Sequence, residues 1–403
     1  MSSARLWRIL VVFLVSSALH GSRDARADEG DVVNFFAGVR YAYDNNLLRL
    51  PDGVSFLGER SDSITSVFAG TTFDKTVSRQ RFRGDLAYYS NRYANFTGLN
   101  YQAPTGKASW SWQAGNRWSG QAAVEYSESL TDFRDYGPLF RTRNIMTTRQ
   151  ASVSANYLVH PDWSMVGQLV SRGTKNDSEF RRSLDLDRNT CELGFQHARP
   201  SGNRLGVTIR RAKGTYPNRV VDPGVSTIDN RFEQDDLETR MLWLPAGHGR
   251  FDARAAFTRR THPNVPQRDF AGPTGRLSYD WFVSVKSSVN VTAGRDISEY
   301  EQVGTSYVDR RNLRVAPTWN PSVKLSLQAG LEYQRLKFSG ETGFVANASR
   351  REDKIQTAFV TATYAPVRYF QVMVNLQHDR RTSNEFGLDY EATYGHISAQ
   401  GSF

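Results

Sequence analysis

Residues Val323–Arg335, VKLSLQAGLEYQR, decide how this chain is read. Val323, Leu325, Leu327, Ala329, Leu331 and Tyr333 hold the odd positions, and Lys324, Ser326, Gln328, Gly330, Glu332 and Gln334 the even ones. Successive side chains of a strand point to opposite faces, so one face is apolar and the other polar over about eleven residues. A tilted strand needs roughly 9–11 residues to cross a hydrocarbon layer. A soluble sheet could show such alternation once, so the membrane reading requires that it recur with turns of a consistent kind.

The pattern recurs in about eighteen segments. In Asn34–Tyr43 the residues Phe35, Ala37, Val39 and Tyr41 share a face; in Gln80–Arg92 Phe82, Leu86 and Tyr88 stand opposite Arg81, Arg83 and Asp85. Tight turns are expected at Gly115-Asn116-Arg117, His160-Pro161-Asp162, Pro200-Ser201-Gly202, 245–249 and Asn320-Pro321-Ser322, where Gly and Pro supply the backbone geometry. They alternate with longer polar loops at 44–61, 131–144, 177–186, 217–230, 262–272 and 339–352. Trp110, Trp112, Trp118, Trp163, Trp243, Trp281 and Trp319 all fall within a few residues of an expected short turn. Indole collects where an apolar body can sit in lipid and its N–H in water, so one girdle at the periplasmic rim is expected. The reading is an all-β, transmembrane, antiparallel up-and-down barrel of about 18 strands (16–18), with short periplasmic turns and longer extracellular loops.

Composition agrees. The chain has 403 residues, 12% of them aromatic, with 31 Gly and a single cysteine, Cys191. Residues 1–27 read as a secretory signal: Arg5 and Arg8, an apolar core from Ile9 to Leu19, then Ala25-Arg26-Ala27. Residues 28–403 are then the barrel, in the bacterial outer membrane, with outer-membrane lipid as surroundings. One cysteine allows no internal disulfide. The net charge is +10, and Arg outnumbers Lys by roughly five to one. The arginines are spread along strands rather than clustered, which argues against nucleic acid.

If the apolar face meets lipid, the opposite face lines the interior. On it the pattern places Arg81, Arg83, Arg210, Arg240, Arg254, Arg276, Arg310 and Arg314, with Asp85, Glu238, Asp252 and Asp280 among them. Part of this set is expected to pair with neighbouring acids; the excess would draw anionic solutes inward. No catalytic constellation, cofactor motif or metal spacing is read from the sequence. The loops at 44–61 and 217–230 are the candidates to fold inward.

Several stretches also resemble the exosortase-associated exopolysaccharide biosynthesis outer-membrane proteins (EpsL type), within the wider β-barrel porin group. They are NNLLRLPDG (45–53), SRQRF (78–82), WSWQAGNRWSG (110–120), HPDWSM (160–165), LDLDRN (184–189), YPNR (216–219), FAGPTGRLSYDW (270–281) and APTWNPSVKLSLQAGLEYQR (316–335). The resemblance implies a conduit for a secreted polysaccharide, working with periplasmic export and synthesis proteins. It carries over no catalytic residue. The barrel-assembly machinery is expected to read the last strand, ending at Phe403. Two alternatives stand beside the conduit: a general or anion-selective diffusion porin, and a non-channel barrel anchoring polysaccharide at the surface.

Overall fold

The computed structural model describes residues 32–51, 59–134, 142–221, 229–245, 247–302, 305–339 and 350–403. The expected signal, 1–27, lies outside them, as do 52–58, 135–141, 222–228 and 340–349 of the expected loops. The described residues form eighteen strands: β1 (Val33–Asp44), β2 (Asp62–Val77), β3 (Gln80–Tyr93), β4 (Tyr101–Ala114), β5 (Trp118–Leu130), β6 (Ile145–His160), β7 (Trp163–Asn176), β8 (Leu186–Ala198) and β9 (Arg204–Thr215), followed by β10 (Arg231–Trp243), β11 (Gly249–Thr261), β12 (Phe270–Ser284), β13 (Ser287–Gln302), β14 (Thr305–Ser322), β15 (Leu325–Ser339), β16 (Glu352–Val367), β17 (Phe370–Ser383) and β18 (Tyr390–Ser402).

Each strand pairs antiparallel with its neighbours in sequence, and β1 pairs with β18 from Phe36 opposite Ser402 to Asp44 opposite Tyr394. The sheet is therefore closed. Closure leaves no row of unpaired backbone groups, which hydrocarbon could not satisfy. At the seam Phe35 and Phe403 exchange both backbone hydrogen bonds at 2.8 Å, and their rings stack 6.3 Å apart. Tight connections such as Gly115-Asn116-Arg117 lie at one end (the turn end), where Gly115 takes the left-handed φ of 59° that favours glycine. Longer connections lie at the other, loop end, except that β13 and β14 run on to Gln302 and Thr305.

Among the boundaries that differ from the sequence reading, residues 270–272 belong to β12 rather than to a loop, and the turn after β14 is Val323-Lys324 rather than Asn320-Pro321-Ser322. Proline misled in both places, Pro273 in the first and Pro321 in the second; Pro321 lies past the last β13–β14 pair, Ser287 with Trp319, in the irregularity where β14 meets β15. Pro273 pairs with Phe257 on β11, but the ladder to β13 begins only at Gly275. Pro317 pairs with Val289 on β13, while its ladder to β15 skips from Val315 to Thr318. Pro104 likewise precedes the first β4–β5 pair, Thr105 with Ser127. Each ring stands where one side of the strand is unpaired, so the missing N–H costs no bond.

Register carries the apolar positions unbroken round the barrel: Val39 faces Val67, Phe82 faces Trp110, Leu237 faces Phe257, Val315 faces Leu331, and Val374 faces Ile397. All but the half-buried Val39 are exposed, and together they form the outer surface. The alternate positions include the fully buried Asp353, Glu238, Arg260 and Arg381, which marks them as the interior. On the outer face an apolar band has sharp limits. Eight residues separate Trp243 from Asp235, Phe251 from Arg259, Trp319 from Arg311 and Tyr157 from Arg149. Eight residues make about 26 Å of strand, or roughly 20 Å of height at a tilt of ~40°. That approaches the apolar band of about 25 Å on outer-membrane barrels.

Candidate functional site

All seven tryptophans of the described residues lie on the outward parity near the turn end. Trp118 and Trp163 open β5 and β7, Trp243 closes β10, and Trp110, Trp112, Trp281 and Trp319 stand within four residues of a strand end. They are joined by aromatics that sequence spacing did not single out. Phe82 stacks on Trp110 at 6.2 Å, Tyr157 packs on Trp118 at 4.6 Å, and Phe195 and His197 pack on Trp163 at 5.8 and 4.7 Å. Phe251 touches both Trp243 and Tyr279, at 6.3 and 6.4 Å. The signal that could have found them is outward parity next to a turn.

The eight arginines, Arg81, Arg83, Arg210, Arg240, Arg254, Arg276, Arg310 and Arg314, all fall on the inward parity. They are not spread evenly. Arg81 and Arg83 both pair with Asp74, at 2.6 and 3.2 Å, near the β2–β3 turn. The other six lie on β9 to β14. Elsewhere the inner wall is largely hydroxyl and amide: Ser109, Ser119, Gln121, Ser152 and Ser154 on β4 to β6, and Thr361, Asn375 and Gln377 on β16 and β17.

The centre of the basic wall is Glu238, whose side chain is 0% exposed. It accepts from Arg210 Nη2 at 3.3 Å, and also from Arg240 Nε and Arg254 Nε. Glu192 takes Arg210 Nε at 3.0 Å and Arg240 Nη1 at 2.9 Å, and Asp236 lies 3.6 Å from Arg210 Nη1. Arg240 stands directly opposite Arg254, and Arg254 opposite Arg276. Like charges in that position repel. The two glutamates offset the first two members of the row but not the third. Arg276 and Arg310 are exposed and make no ion pair among the described residues. The Arg314 guanidinium lies 5.1 Å over the Phe359 ring. Beyond Arg276 the row continues to Gly294 and Asn312, which have no charge. The surplus therefore faces the space inside the barrel.

That space narrows at the loop end. Phe133 packs against Tyr93 and Leu99, and the Arg134 carbonyl accepts from Arg381 Nη1 on β17. Six strand-to-strand steps separate β5 from β17 along the wall. They amount to roughly 29 Å, whereas four residues beyond Leu130 reach at most ~14 Å. The segment 131–134 therefore leaves the wall as a short inward chord from β5, met by the Arg381 side chain reaching in from β17. Of the loops expected to fold inward, 44–61 is tied to the rim in its described part: the Asn46 side-chain amide donates to the Leu50 and Glu391 carbonyls, at 2.8 Å each. In 217–230 Arg219 donates to the Ser183 and Asp229 carbonyls. Residues 52–58 and 222–228 of those loops lie outside the described residues. The inward segment was missed because nothing in 131–134 marks it; its partner, Arg381, is distant in sequence.

Over β9–β12 the loop end is packed with cations on rings. Arg219 lies 3.4 Å over Tyr216, and Arg260 lies 4.5 Å over Phe232. Beside them His262, in the β11–β12 loop, is buried 3.6 Å from Asp269. Burial first, and the Arg260 charge second, push its imidazole down to about 4. It is neutral at physiological pH.

A closed eighteen-strand antiparallel barrel, with an apolar outer band and a polar interior, is the architecture of an outer-membrane porin. Residues 252–402, β11 to β18, match the model of the family described as Putative beta-barrel porin 2. No curated protein matches the chain in sequence. Solved porins share the fold. OpdK of Pseudomonas aeruginosa is 12% identical, covering 92% of this chain and 99% of its own, with a TM-score of 0.50. OccK9 (OpdG) of the same organism is 11% identical over 92% and 98%, at 0.51. OccK2 (OpdF), solved with glucuronate, is 9% identical over 92% and 98%, at 0.50. At these identities the likeness is one of fold.

Proposed function

We propose that the chain is an outer-membrane channel with a preference for anions, and that its cargo is an acidic saccharide released across the outer membrane. The observation carrying this reading is the inward row Arg240–Arg254–Arg276, in which Arg276, with Arg310 nearby, is not balanced by a carboxylate. A wall of exposed guanidinium groups raises the local concentration of carboxylate or sulfate. The hydroxyl and amide wall facing it can exchange hydrogen bonds with sugar hydroxyls at little cost, since each bond only replaces one to water. Many weak contacts let a polymer slide, whereas one tight site would hold it. The apolar band, the aromatic rim and the match of 252–402 to a porin family support the membrane and the channel. The EpsL-type stretches support the polysaccharide.

A second reading follows from the chord at 131–134, which narrows the mouth: a diffusion porin for small acids. OccK2 was solved with glucuronate, a monomeric acidic sugar. One experiment separates them. In a strain lacking the chain, secreted polysaccharide and periplasmic polymer are assayed together. Loss outside with accumulation or degradation inside supports release of a polymer; unchanged secretion, with slower uptake of small acids, refutes it and leaves the porin.

A further inference from the structure

The outer face carries its own charged row, at the loop-end limit of the apolar band. Arg295 stands opposite Arg311, Arg311 opposite Arg335, and Arg335 opposite Lys354. Four cations thus occupy one register row on four adjacent strands, β13 to β16, all on the outward parity. Strands lie about 4.8 Å apart, so the row spans roughly 14 Å. Toward the apolar band the next positions are Ala293, Leu313, Tyr333 and Gln356. Toward the loops they are Ile297, Asp309, Lys337 and Glu352.

Four like charges side by side on an outer surface repel, and two carboxylates only partly answer them. Asp309 takes Arg295 at 2.9 Å and Arg311 at 3.5 Å; Glu352 takes Arg335 at 2.6 Å and Lys337 at 3.9 Å. Lys354 is exposed and has no ion pair among the described residues. Arg295, Arg311, Arg335, Lys337 and Lys354 against Asp309 and Glu352 leave a surplus of three positive charges. The patch stands eight residues from Trp319 across the band, where acyl chains give way to headgroups. There the turn-end rim has tryptophan; this rim has guanidinium.

We propose that this row is a binding site for the phosphate groups of an outer-leaflet glycolipid, held directly by the arginines. The proposal rests on reading the chain as an outer-membrane barrel with its loop end outward. Charge complementarity selects the occupant: guanidinium forks match phosphate bidentately, and 14 Å of cations has room for two phosphates on one headgroup. The adjoining Leu313, Leu331 and Tyr333 meet the acyl chains below.

The test is native mass spectrometry of the purified barrel with bisphosphorylated lipid A and with the same lipid dephosphorylated, in EDTA. Wild type is expected to retain the phosphorylated form preferentially. Arg311→Gln with Arg335→Gln together lower that retention by about twenty- to thirtyfold. Arg211→Gln, an outward arginine on β9 paired with Glu233, leaves it unchanged. Equal retention of the two lipids, or no effect of the double variant in a barrel that stays folded in cold detergent, overturns the proposal. Loss of binding in EDTA also overturns it, since a metal bridged by Asp309 and Glu352 would then be the link. A lipid-free dimer abolished by the double variant would reassign the face to a second copy. Membrane fractionation keeps the two claims apart: absence from the outer membrane refutes the localisation, while lipid retention in vitro judges the site itself.

Discussion

Reversing the charge of Arg276 is the sharpest test of the basic wall. Its guanidinium is exposed on β12, third in the row after Arg240 and Arg254 and without a carboxylate of its own. An anion passing ~5 Å away in water feels an attraction of roughly 0.8 kcal/mol. At 0.1 M salt, with a screening length of about 10 Å, roughly 0.5 kcal/mol remains. Arg276→Glu turns that attraction into an equal repulsion, a change of ~1 kcal/mol, or about a fivefold fall in local anion occupancy. Cation occupancy rises by the same factor. The assay is the reversal potential of single channels in a planar bilayer under a KCl gradient. The chloride-to-potassium permeability ratio should fall at least about fivefold at 0.1 M. At 1 M the screening length is about 3 Å, and the shift should shrink below about threefold. An unchanged reversal potential at 0.1 M, in a variant that still inserts and conducts, would refute the reasoning. So would an equal shift at both salt concentrations, which would indicate a steric effect.

Glu238→Gln removes the buried carboxylate that Arg210, Arg240 and Arg254 share; unfolding from detergent in urea should show a loss of about 3 kcal/mol, with anion preference raised rather than lowered. His262, with its folded value near 4 against an ordinary 6.5, contributes stability that is complete above about pH 6.5 and is lost as pH falls toward 4. The loss should run at about 1.4 kcal/mol per unit, seen as a falling thermal midpoint from pH 7 to 5 that His262→Phe flattens. Because Cys191 is the single cysteine, a Cys191→Ser background allows scanning of β15. Cysteine at 326, 328 or 332 should react with a water-soluble maleimide in liposomes, and cysteine at 327 or 331 should not; equal labelling on both parities would contradict the barrel. Finally, Arg381→Met, which frees the 131–134 chord from β17, should raise conductance without changing selectivity, since the charge lies at the loop end and not in the row.

Much of the barrel was legible because each strand carries its own evidence. The parity of Phe35 to Tyr41, of Phe82 to Tyr88 and of Leu325 to Tyr333 is local, and local alternation says which side chains share a face. What could not be read is the stagger between strands. That Arg240, Arg254 and Arg276 form one row, or that Arg295, Arg311, Arg335 and Lys354 form another, depends on register across several ladders. Proline at 273 and 321 looked like a loop signal because a sequence does not show where a strand runs on with one side unpaired. The 131–134 chord needed a contact between residues 247 apart.

The two rows also explain why the register should be so firm. A slip of one residue in β11 or β12 would carry Arg254 or Arg276 into the lipid face and bring Ala253 or Leu277 inside. Arginine facing lipid costs ~2–4 kcal/mol near the midplane. Losing an apolar side chain from the band adds a further penalty of order 1–2 kcal/mol. A slip in β14 would bury Arg310 and Arg314 in hydrocarbon and empty the outer row of Arg311 at the same time. Inward and outward arginines on neighbouring positions therefore act as a lock against one-residue slips: each such shift misplaces charge on both faces at once, and the observed parity keeps every guanidinium of the two rows in water or among headgroups.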